Sequence, residues 1–272
     1  MSSAIEEIEK YGFAAAPLEP DANDARLLHN LFSAPHQNHF ITHYIPQIDF
    51  FKSLLRGSKL RLSRTDLQKK KDPNDSCYPE ANLHAQSEMT KRLYERFKIV
   101  EDPKAMIESQ NISRRYSYIH CWFNQKQESS NMWRDFGGNG FGVCIQTTTS
   151  RLQNSLKQNE PHLHTEVAPA TYTNDAISTL FSSAPFFRKD AQFQNEEEFR
   201  VLARIKMEHI PKEPCTEFLA EASEFQFVEV DLGKMLYTVI IGSNVSDEDF
   251  IFLKTWIQSL SPSAAVRRSS LE

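Results

Sequence analysis

Residues 120–146 place an aromatic-rich strand pattern, a short helix pattern, a glycine-rich corner and a second strand pattern in one continuous stretch. The helix pattern contains Trp133, and the glycines of the corner lie within 137–140. Neither solubility nor bulk packing requires so compact an arrangement. A second unusual stretch, 193–200, contains three successive glutamates that could lie beside the first. Together the two stretches indicate a functional site but do not identify a reaction.

The clearest strand pattern in the chain covers residues 114–123. Because side chains in a strand alternate with a period of two, neighbouring residues face opposite sides. One face carries Tyr116, Tyr118, His120 and Trp122, and the other carries Ser117, Ile119, Cys121 and Phe123. Both faces are apolar enough to be covered by other parts of the protein. The pattern therefore predicts a central strand of a sheet.

The other strand patterns mostly follow a helical first part of the chain. They cover residues 59–63, 141–147, 167–172, 198–205, 227–231 and 237–241. One helix pattern covers 47–56, with Gly57 expected just after its end, and another begins at Ser246, which an acidic residue follows three positions later. Few helices separate the strands, which favours an α+β fold with a mixed, mainly antiparallel sheet flanked by helices. We expect a helical extension at 1–35 and a single α+β domain at 36–272.

Charge and cysteine content narrow the classes of function. The formal net charge of −5 counts against non-specific nucleic-acid binding. Basic stretches at 56–71 and 114–115 leave a polynucleotide partner open. No apolar run reaches the roughly 20 residues that span a bilayer, so no membrane partner is expected. The N-terminus has no hydrophobic signal core and the cysteines show no C-x-x-C spacing, which predicts reduced thiols in a cytoplasmic protein.

The strand pattern at 198–205 predicts that the carboxylate of Glu198 lies on a rigid element. One face carries Phe199, Val201, Ala203 and Ile205, and the other carries Glu198, Arg200, Leu202 and Arg204, which Glu196 continues if the strand begins early. An apolar face anchors such a strand, so Glu198 is fixed as a catalytic acid or base requires. Arg200 beside it either keeps the carboxylate ionised or binds a phosphate. The alternative is an exposed ladder of ion pairs on an edge strand.

Trp122 and Trp133 have two interpretations. They are either core aromatics or flat rings on which a nucleobase or a nicotinamide stacks. The sequence alone does not decide between them.

Metal and phosphate motifs are not evident. The histidine spacings closest to a helical metal pair occur in His29, His36, His39 and His43. Pro35 and Pro46 break a helix in that region and no matching acid or cysteine follows, so no metal site is predicted. The glycines at 137–140 lead into a strand rather than a helix, which is not the dinucleotide-binding arrangement. Walker A, metalloprotease and serine-hydrolase motifs are also absent from the sequence.

Three groups of residues carry a resemblance to a known family. The first is Leu60–Ser63 with Asp72–Asp75; the second is Cys121-Trp122, Glu128-Ser129, Met132-Trp133 and Gly142–Ile145; the third is Lys189, Phe193, Glu196, Glu198 and Arg200. In order and spacing they resemble the bacterial family known as domain of unknown function 2971. The resemblance covers residues 40–270 and leaves the N-terminal helices outside.

The resemblance implies a role in phage defence, and the family's layout is similar to that of ADP-ribosyltransferases. Such enzymes carry a His or Arg on an early strand, an aromatic or Ser on a middle strand and a glutamate on a late strand. The matching positions here are His43-Tyr44, the strand 116–122 with Glu128-Ser129, and Glu198 or Glu196. By this analogy the early residue holds the ribose of NAD and an aromatic ring stacks on nicotinamide. The glutamate binds the ribose 2′-OH and stabilises an oxocarbenium-like transition state.

The first functional hypothesis is therefore an ADP-ribosyltransferase-like enzyme that acts as a defence effector. It uses NAD or a related nucleotide as substrate and has no tightly bound cofactor. Its candidate catalytic residues are Glu198, Glu196 and Glu128, and its candidate binding residues are His43, Tyr44, Trp122, Ser129, Trp133 and Arg200. A second hypothesis is a nuclease that clusters the same three glutamates near the basic stretch 56–71. A third is a non-enzymatic sensor that binds a protein partner.

Overall fold

The computed structural model describes residues 38–70, 74–82, 84, 110–177, 183–206, 209–210 and 223–271. The helical extension expected at 1–35 lies outside the described residues. None of the helices in the described ranges combines the length and the hydrophobicity that crossing a membrane requires.

The described residues form an α+β fold. The strands are β1 (Phe40–Ile45), β2 (Lys59–Arg64), β3 (Ser117–Phe123), β4 (Val143–Thr148), β5 (Leu163–Pro169), β6 (Thr171–Tyr172), β7 (Arg188–Lys189), β8 (Glu198–Ile205), β9 (Phe225–Glu229), β10 (Thr238–Ile241) and β11 (Ala265–Arg268). The α-helices are α1 (Ile48–Gly57), α2 (Ser130–Asp135), α3 (Thr149–Ser155), α4 (Leu232–Met235) and α5 (Asp247–Leu260).

Nine of these strands form one sheet. Its main path runs β11-β10-β4-β1-β3-β2-β9, and β8 pairs with the other edge of β3 and carries β5 beyond it. Neighbours are antiparallel except for the parallel pair β10 and β11. The short strands β6 and β7 form a separate parallel pair. The predicted α+β fold with a mainly antiparallel sheet is confirmed.

The sheet forks at β3. Along one edge β3 pairs with β8 over its whole length. The other edge is shared, because Phe123 pairs with β1 whereas Ile119 and Tyr118 pair with β2. Residues 120–122 therefore have no strand neighbour on that edge among the described residues. The prediction of a central strand at this position is confirmed, and the fork is a feature that the sequence did not reveal.

One face of the sheet packs on helices to form the main core. Phe199, Val201 and Ala203 of β8 point into this core, as the period of two predicts. Helices α1, α3, α4 and α5 cover it from the other side, with residues such as Phe51 and Leu253 fully buried. On the opposite face of β8, Leu202 packs in a separate small cluster. Both faces of the central strands are thus covered.

Helix α1 connects β1 to β2 across the open side of the fork. Phe51, Leu54 and Leu55 are its buried residues, which agrees with the helical spacing of the sequence. The helix ends one residue later than expected: Gly57 is the last helical residue, and Ser58 takes the left-handed conformation with φ 49°. The carbonyl of Ser58 accepts a hydrogen bond from the Val230 N–H at 2.8 Å, which ties this turn to the chain after β9.

The backbone conformation of the corner before β4 requires glycine. Gly138 and Gly140 have φ of +62° and +81°, a region that favours glycine. At Gly142 a Cβ atom would lie 2.0 Å from the carbonyl oxygen of Ile45, so no side chain fits there. The corner thus brings β4 against the end of β1.

Two predicted strands begin three or more residues away from their observed starts. The strand expected at 167–172 begins at Leu163 and is interrupted at Ala170, because the chain leaves the edge of β8 after Pro169 and then pairs with β7. The strand expected from residue 114 begins at Ser117, because residues 110–115 are helical.

Candidate functional site

A cleft of about 1150 Å³ opens at the fork. The free edges of β1, β2 and β3 and one side of α1 border it, together with residues from β7, β8 and β9. Its volume is slightly above the ~300–1,000 Å³ that is typical of ligand sites. Three kinds of side chain line it: a group of carboxylates with a lysine, a pair of histidines, and several aromatic rings.

Arg200 organises the carboxylates from below the cleft surface. Its side chain is 0% exposed and binds two acids. Nη1 and Nη2 donate to the two carboxylate oxygens of Asp75 at 2.8 and 2.9 Å. Nε and Nη2 donate to Oε2 of Glu198 at 3.0 and 2.9 Å. Such paired contacts match the planar guanidinium. Because β8 lies between β3 and β5 and these ion pairs are buried, the exposed edge-strand alternative is excluded.

Lys189 lies between the two glutamates of the cleft. Its Nζ donates to Oε1 of Glu198 at 3.0 Å and also to Oε2 of Glu196. The side chain of Glu198 is only 7% exposed, whereas that of Glu196 is 37% exposed. Glu196 is therefore the carboxyl group that a ligand in the cleft can reach, and Glu198 is the one that the protein holds in place.

The two glutamates differ in acidity. Burial opposes the ionisation of Glu198, but Arg200 and Lys189 overcome it and lower the pKa of this carboxyl to about 2. Burial raises the pKa of Glu196; Lys189 opposes this rise, and a hydrogen bond shared with Glu198 adds to it, so the pKa stays above its usual value. The pair is thus split into a permanently ionised group and a group that can exchange a proton.

The local chain explains why Glu196 and Glu198 meet. Residues 191–196 form a 3-10 segment whose start is capped by the carboxylate of Asp190, which accepts from the Gln192 N–H at 3.1 Å. Glu197 then takes the left-handed conformation with φ 42° and turns the chain into β8. The sequence allowed Glu196 to continue strand β8, but in the structure Glu196 lies before the strand. It reaches the cleft through this turn.

A pair of histidines lies at the free edge of β3. The rings of His43 on β1 and His120 on β3 have centroids 4.1 Å apart. Nδ1 of His43 lies 3.0 Å from the carbonyl oxygen of Cys121, which can only accept, so Nδ1 carries the proton and Nε2 is left as an acceptor. Burial lowers the pKa of His43 to about 4 and also lowers that of His120. Both rings are therefore neutral at physiological pH and offer hydrogen bonds rather than charge.

Trp122 lies behind the histidines rather than in the cleft wall. Its ring is 5.4 Å from that of His43 and 5.5 Å from that of His120. The side chain is 0% exposed within the main core, so no ring face is open to a nucleobase in this structure. Trp122 therefore supports the two histidine rings from within the main core, on the face of the sheet opposite to Arg200.

Glu128, Ser129 and Trp133 do not line the cleft. They belong to a group of residues that we call the C-terminal cluster, which also contains Arg267, Ser269 and Ser270. Oε2 of Glu128 accepts from Nε1 of Trp133 at 2.9 Å and from Oγ of Ser269 at 2.5 Å, and Oε1 accepts from Nη1 of Arg267 at 2.6 Å. Burial opposes ionisation here as well, but these donors lower the pKa of Glu128. The proposed catalytic role of Glu128 is not supported by its position.

Tyr44 lies between the cleft and the C-terminal cluster. Its ring contacts Trp133 edge-on, with centroids 5.2 Å apart, and its Oη accepts from the Ser129 N–H at 3.0 Å. Tyr44 also lines the cleft. The predicted binding residues His43 and Tyr44 thus border the same cavity as Glu196 and Glu198, whereas Ser129 and Trp133 do not.

The described cysteines are Cys77, Cys121 and Cys144, and none of the three is in a disulfide. Burial raises the pKa of Cys121 and of Cys144, so neither is a thiolate. No group of three or more His, Cys, Asp and Glu side chains within the described ranges is arranged to hold a metal ion.

The candidate residues taken from the sequence did not include Asp75, Lys189 or His120. Asp75 and Lys189 belong to the motifs that carry the family resemblance, but their roles depend on contacts with β8 that no local pattern shows. His120 shares a strand face with Trp122, which was the available signal.

Comparison with known proteins finds a likeness to a family over one part of the site. No curated protein and no solved structure matches the chain. Residues 132–201, which contain Lys189, Glu196, Glu198 and Arg200, match the model of the family described as "Protein of unknown function (DUF2971)". The site therefore includes a segment that is similar to this family of unknown function.

Proposed function

We propose that the cleft binds a nucleotide and that the protein breaks the N-glycosidic bond of NAD or a related nucleotide. The observation that carries this proposal is the unequal carboxylate pair at the fork. Glu198 is fixed and ionised by Lys189 and Arg200, whereas Glu196 is partly exposed and has a raised pKa. The neutral His43 borders the same cleft.

The ionised carboxylate of Glu198 suits the positive charge that develops on the ribose in this reaction. When the bond between C1′ and the nicotinamide nitrogen breaks, nicotinamide leaves as a neutral molecule with the electron pair, and the ribose becomes positively charged. Glu198 holds negative charge in a fixed position beside the cleft, so it stabilises that charge without rearranging first. Nε2 of His43, as a hydrogen-bond acceptor, is suited to a ribose hydroxyl.

Glu196 is the group that we assign to proton transfer. With water as the acceptor, the water oxygen forms the new bond to C1′ and its proton passes to ionised Glu196 and then to solvent. A base becomes more effective as its pKa rises toward the working pH, and burial shifts the pKa of Glu196 in that direction. Because the ionised form is the active one, turnover is expected to rise as the pH increases through the pKa of Glu196.

The strand order supports the analogy with ADP-ribosyltransferases. The early residue His43 lies on β1, the middle strand is β3, and the late residue Glu198 lies on β8, which pairs with β3. This analogy concerns layout alone and therefore only adds to the chemical argument.

The nuclease hypothesis receives less support. It requires Glu128 beside Glu196 and Glu198, because two-metal chemistry brings carboxylates within a few ångströms of each other. Glu128 is instead bound by the residues of the C-terminal cluster and does not line the cleft.

The test is release of nicotinamide from NAD by the purified protein, followed by NMR. The Glu196→Gln variant is expected to lose about 10²- to 10⁴-fold in turnover, since it lacks the proton acceptor. Glu197→Gln is the matched control, because Glu197 is an exposed neighbour that does not line the cleft. Absence of release by folded wild-type protein, or equal turnover by Glu196→Gln, would contradict the proposal.

A further inference from the structure

Arg61 lies in the middle of β2 and stacks on aromatic rings. Its guanidinium carbon is 4.2 Å from the ring centroid of Phe225 and 5.3 Å from that of Phe50. In the β2–β9 register Arg61 lies directly opposite Phe227. We call Arg61, Phe50, Phe225 and Phe227 the arginine platform, and all four line the cleft.

The guanidinium of Arg61 is not used by the fold in the way that Arg200 is. Arg200 is fully buried, and its Nε, Nη1 and Nη2 all donate to oxygens of Asp75, Glu198 or Phe186. No ion pair or hydrogen bond joins Arg61 to another described residue, and its side chain is exposed. Stacking occupies the faces of a guanidinium and leaves the N–H donors along its edge free.

The arginine platform and the histidine pair line the same cleft. Burial, the neighbouring His43 and the charge of Arg61 together lower the pKa of His120. Because Arg61, His43 and His120 all line this cleft, a ligand that extends along it can contact both Arg61 and the histidine pair. Besides Arg61, the charged residues that line the cleft are Lys59, Asp75, Lys189, Glu196, Glu198 and Glu224.

We propose that Arg61 is the phosphate-binding residue of the cleft and that the ligand is a nucleotide with a pyrophosphate group rather than a nucleoside. The inference rests on the proposed function, because it assigns the phosphate end of the same substrate. A guanidinium binds two phosphate oxygens through parallel N–H donors. The exposed rings of Phe50 and Phe227, at 47% and 48%, lie beside it and offer faces on which a base can stack.

The experiment measures binding by calorimetry, with ADP-ribose as the phosphorylated probe and nicotinamide riboside as the probe without pyrophosphate. Arg61→Met is expected to weaken ADP-ribose binding by about 10- to 100-fold, the effect of losing a charge-assisted pair. Arg61→Lys keeps the positive charge but lacks the planar guanidinium. Its affinity for ADP-ribose is expected to lie between those of the wild type and Arg61→Met. Binding of nicotinamide riboside is expected to stay unchanged in both variants.

Arg56→Met is the matched control. Arg56 is an exposed arginine in the last turn of α1 that does not line the cleft, so its loss is expected to leave both affinities unchanged. Melting temperatures of all variants verify that they are folded. Equal ADP-ribose affinity in wild type and Arg61→Met, or no ADP-ribose binding by wild type, would overturn the inference.

The two proposals fail in different ways. If NAD is cleaved and Arg61→Met leaves the KM for NAD unchanged, the phosphate assignment is wrong and the proposed function stands. If ADP-ribose binds in an Arg61-dependent manner but NAD is not cleaved, the phosphate assignment stands and the proposed reaction is wrong.

Discussion

Glu196 and Glu128 both lie beside a cationic side chain and an aromatic ring, yet they differ in exposure and in pKa. Glu196 contacts Lys189, whose Nζ lies 5.2 Å from the ring centroid of Phe193. Glu128 contacts Arg267 and the indole of Trp133. The side chain of Glu128 is 6% exposed and its pKa is lowered. That of Glu196 is 37% exposed and its pKa is raised.

The difference lies in the number and charge of the neighbours. Glu128 accepts from an arginine, an indole and a serine hydroxyl, so its negative charge is satisfied and it ties α2 to the residues after β11. Glu196 shares its lysine with a second carboxylate that already holds the negative charge. A fully bonded glutamate stabilises the fold, whereas an incompletely bonded one beside an ionised partner is available for chemistry.

The largest effect is expected from removing the arginine that keeps the cleft pair unequal. Arg200→Met leaves Asp75 and Glu198 buried without a counter-ion on this side, and it should lower the free energy of unfolding by about 3–5 kcal/mol. Urea unfolding measures this loss. Arg56→Met, at an exposed position, should change stability by no more than about 0.5 kcal/mol. A loss for Arg200→Met no larger than that of the control would mean that the buried ion pairs do not form.

A smaller loss of stability is expected from the C-terminal cluster. Glu128→Gln removes the charge that Arg267 and Ser269 bind, and it should cost about 1–3 kcal/mol of unfolding free energy. Turnover of NAD by the folded variant should stay near the wild-type value. A variant of wild-type stability with impaired turnover would reverse the comparison and make Glu128 the functional carboxylate.

The smallest expected effect belongs to the residue between the two regions. Tyr44→Phe keeps the ring against Trp133 but removes the oxygen that accepts from the Ser129 N–H, so it should cost about 1 kcal/mol. Thermal unfolding measures the loss, and NAD affinity should not change. A clear fall in NAD affinity without loss of stability would show that the Tyr44 hydroxyl contacts the ligand instead.

Local patterns predicted the parts of the fold that depend on neighbouring residues. The α+β class, the central position of β3 and the spacing of buried residues in α1 follow from periodicity and helix-end signals. The shared face of Glu198 and Arg200 also follows from the strand period, and the structure confirms it, because the two side chains bind each other.

The rest of the site depends on contacts between distant segments. Arg200 meets Asp75 across 125 residues of sequence, and Glu128 meets Arg267 across 139. Sequence proximity suggested that Glu128 and Trp133 belong with Trp122, but the C-terminal strand draws them into a separate cluster. The fork of the sheet is likewise invisible locally, since it arises from how β1 and β2 divide one edge of β3.

The most direct test of this comparison is an NMR titration of the glutamate side-chain carboxyl carbons in the ligand-free protein. An ordinary glutamate titrates near pH ~4.3. As the pH falls from neutral, Glu196 is expected to take up its proton above that value, whereas Glu128 and Glu198 remain ionised until below it. If Glu196 titrates at or below the ordinary value, together with Glu128, the cleft pair is not split and the account of the site is wrong.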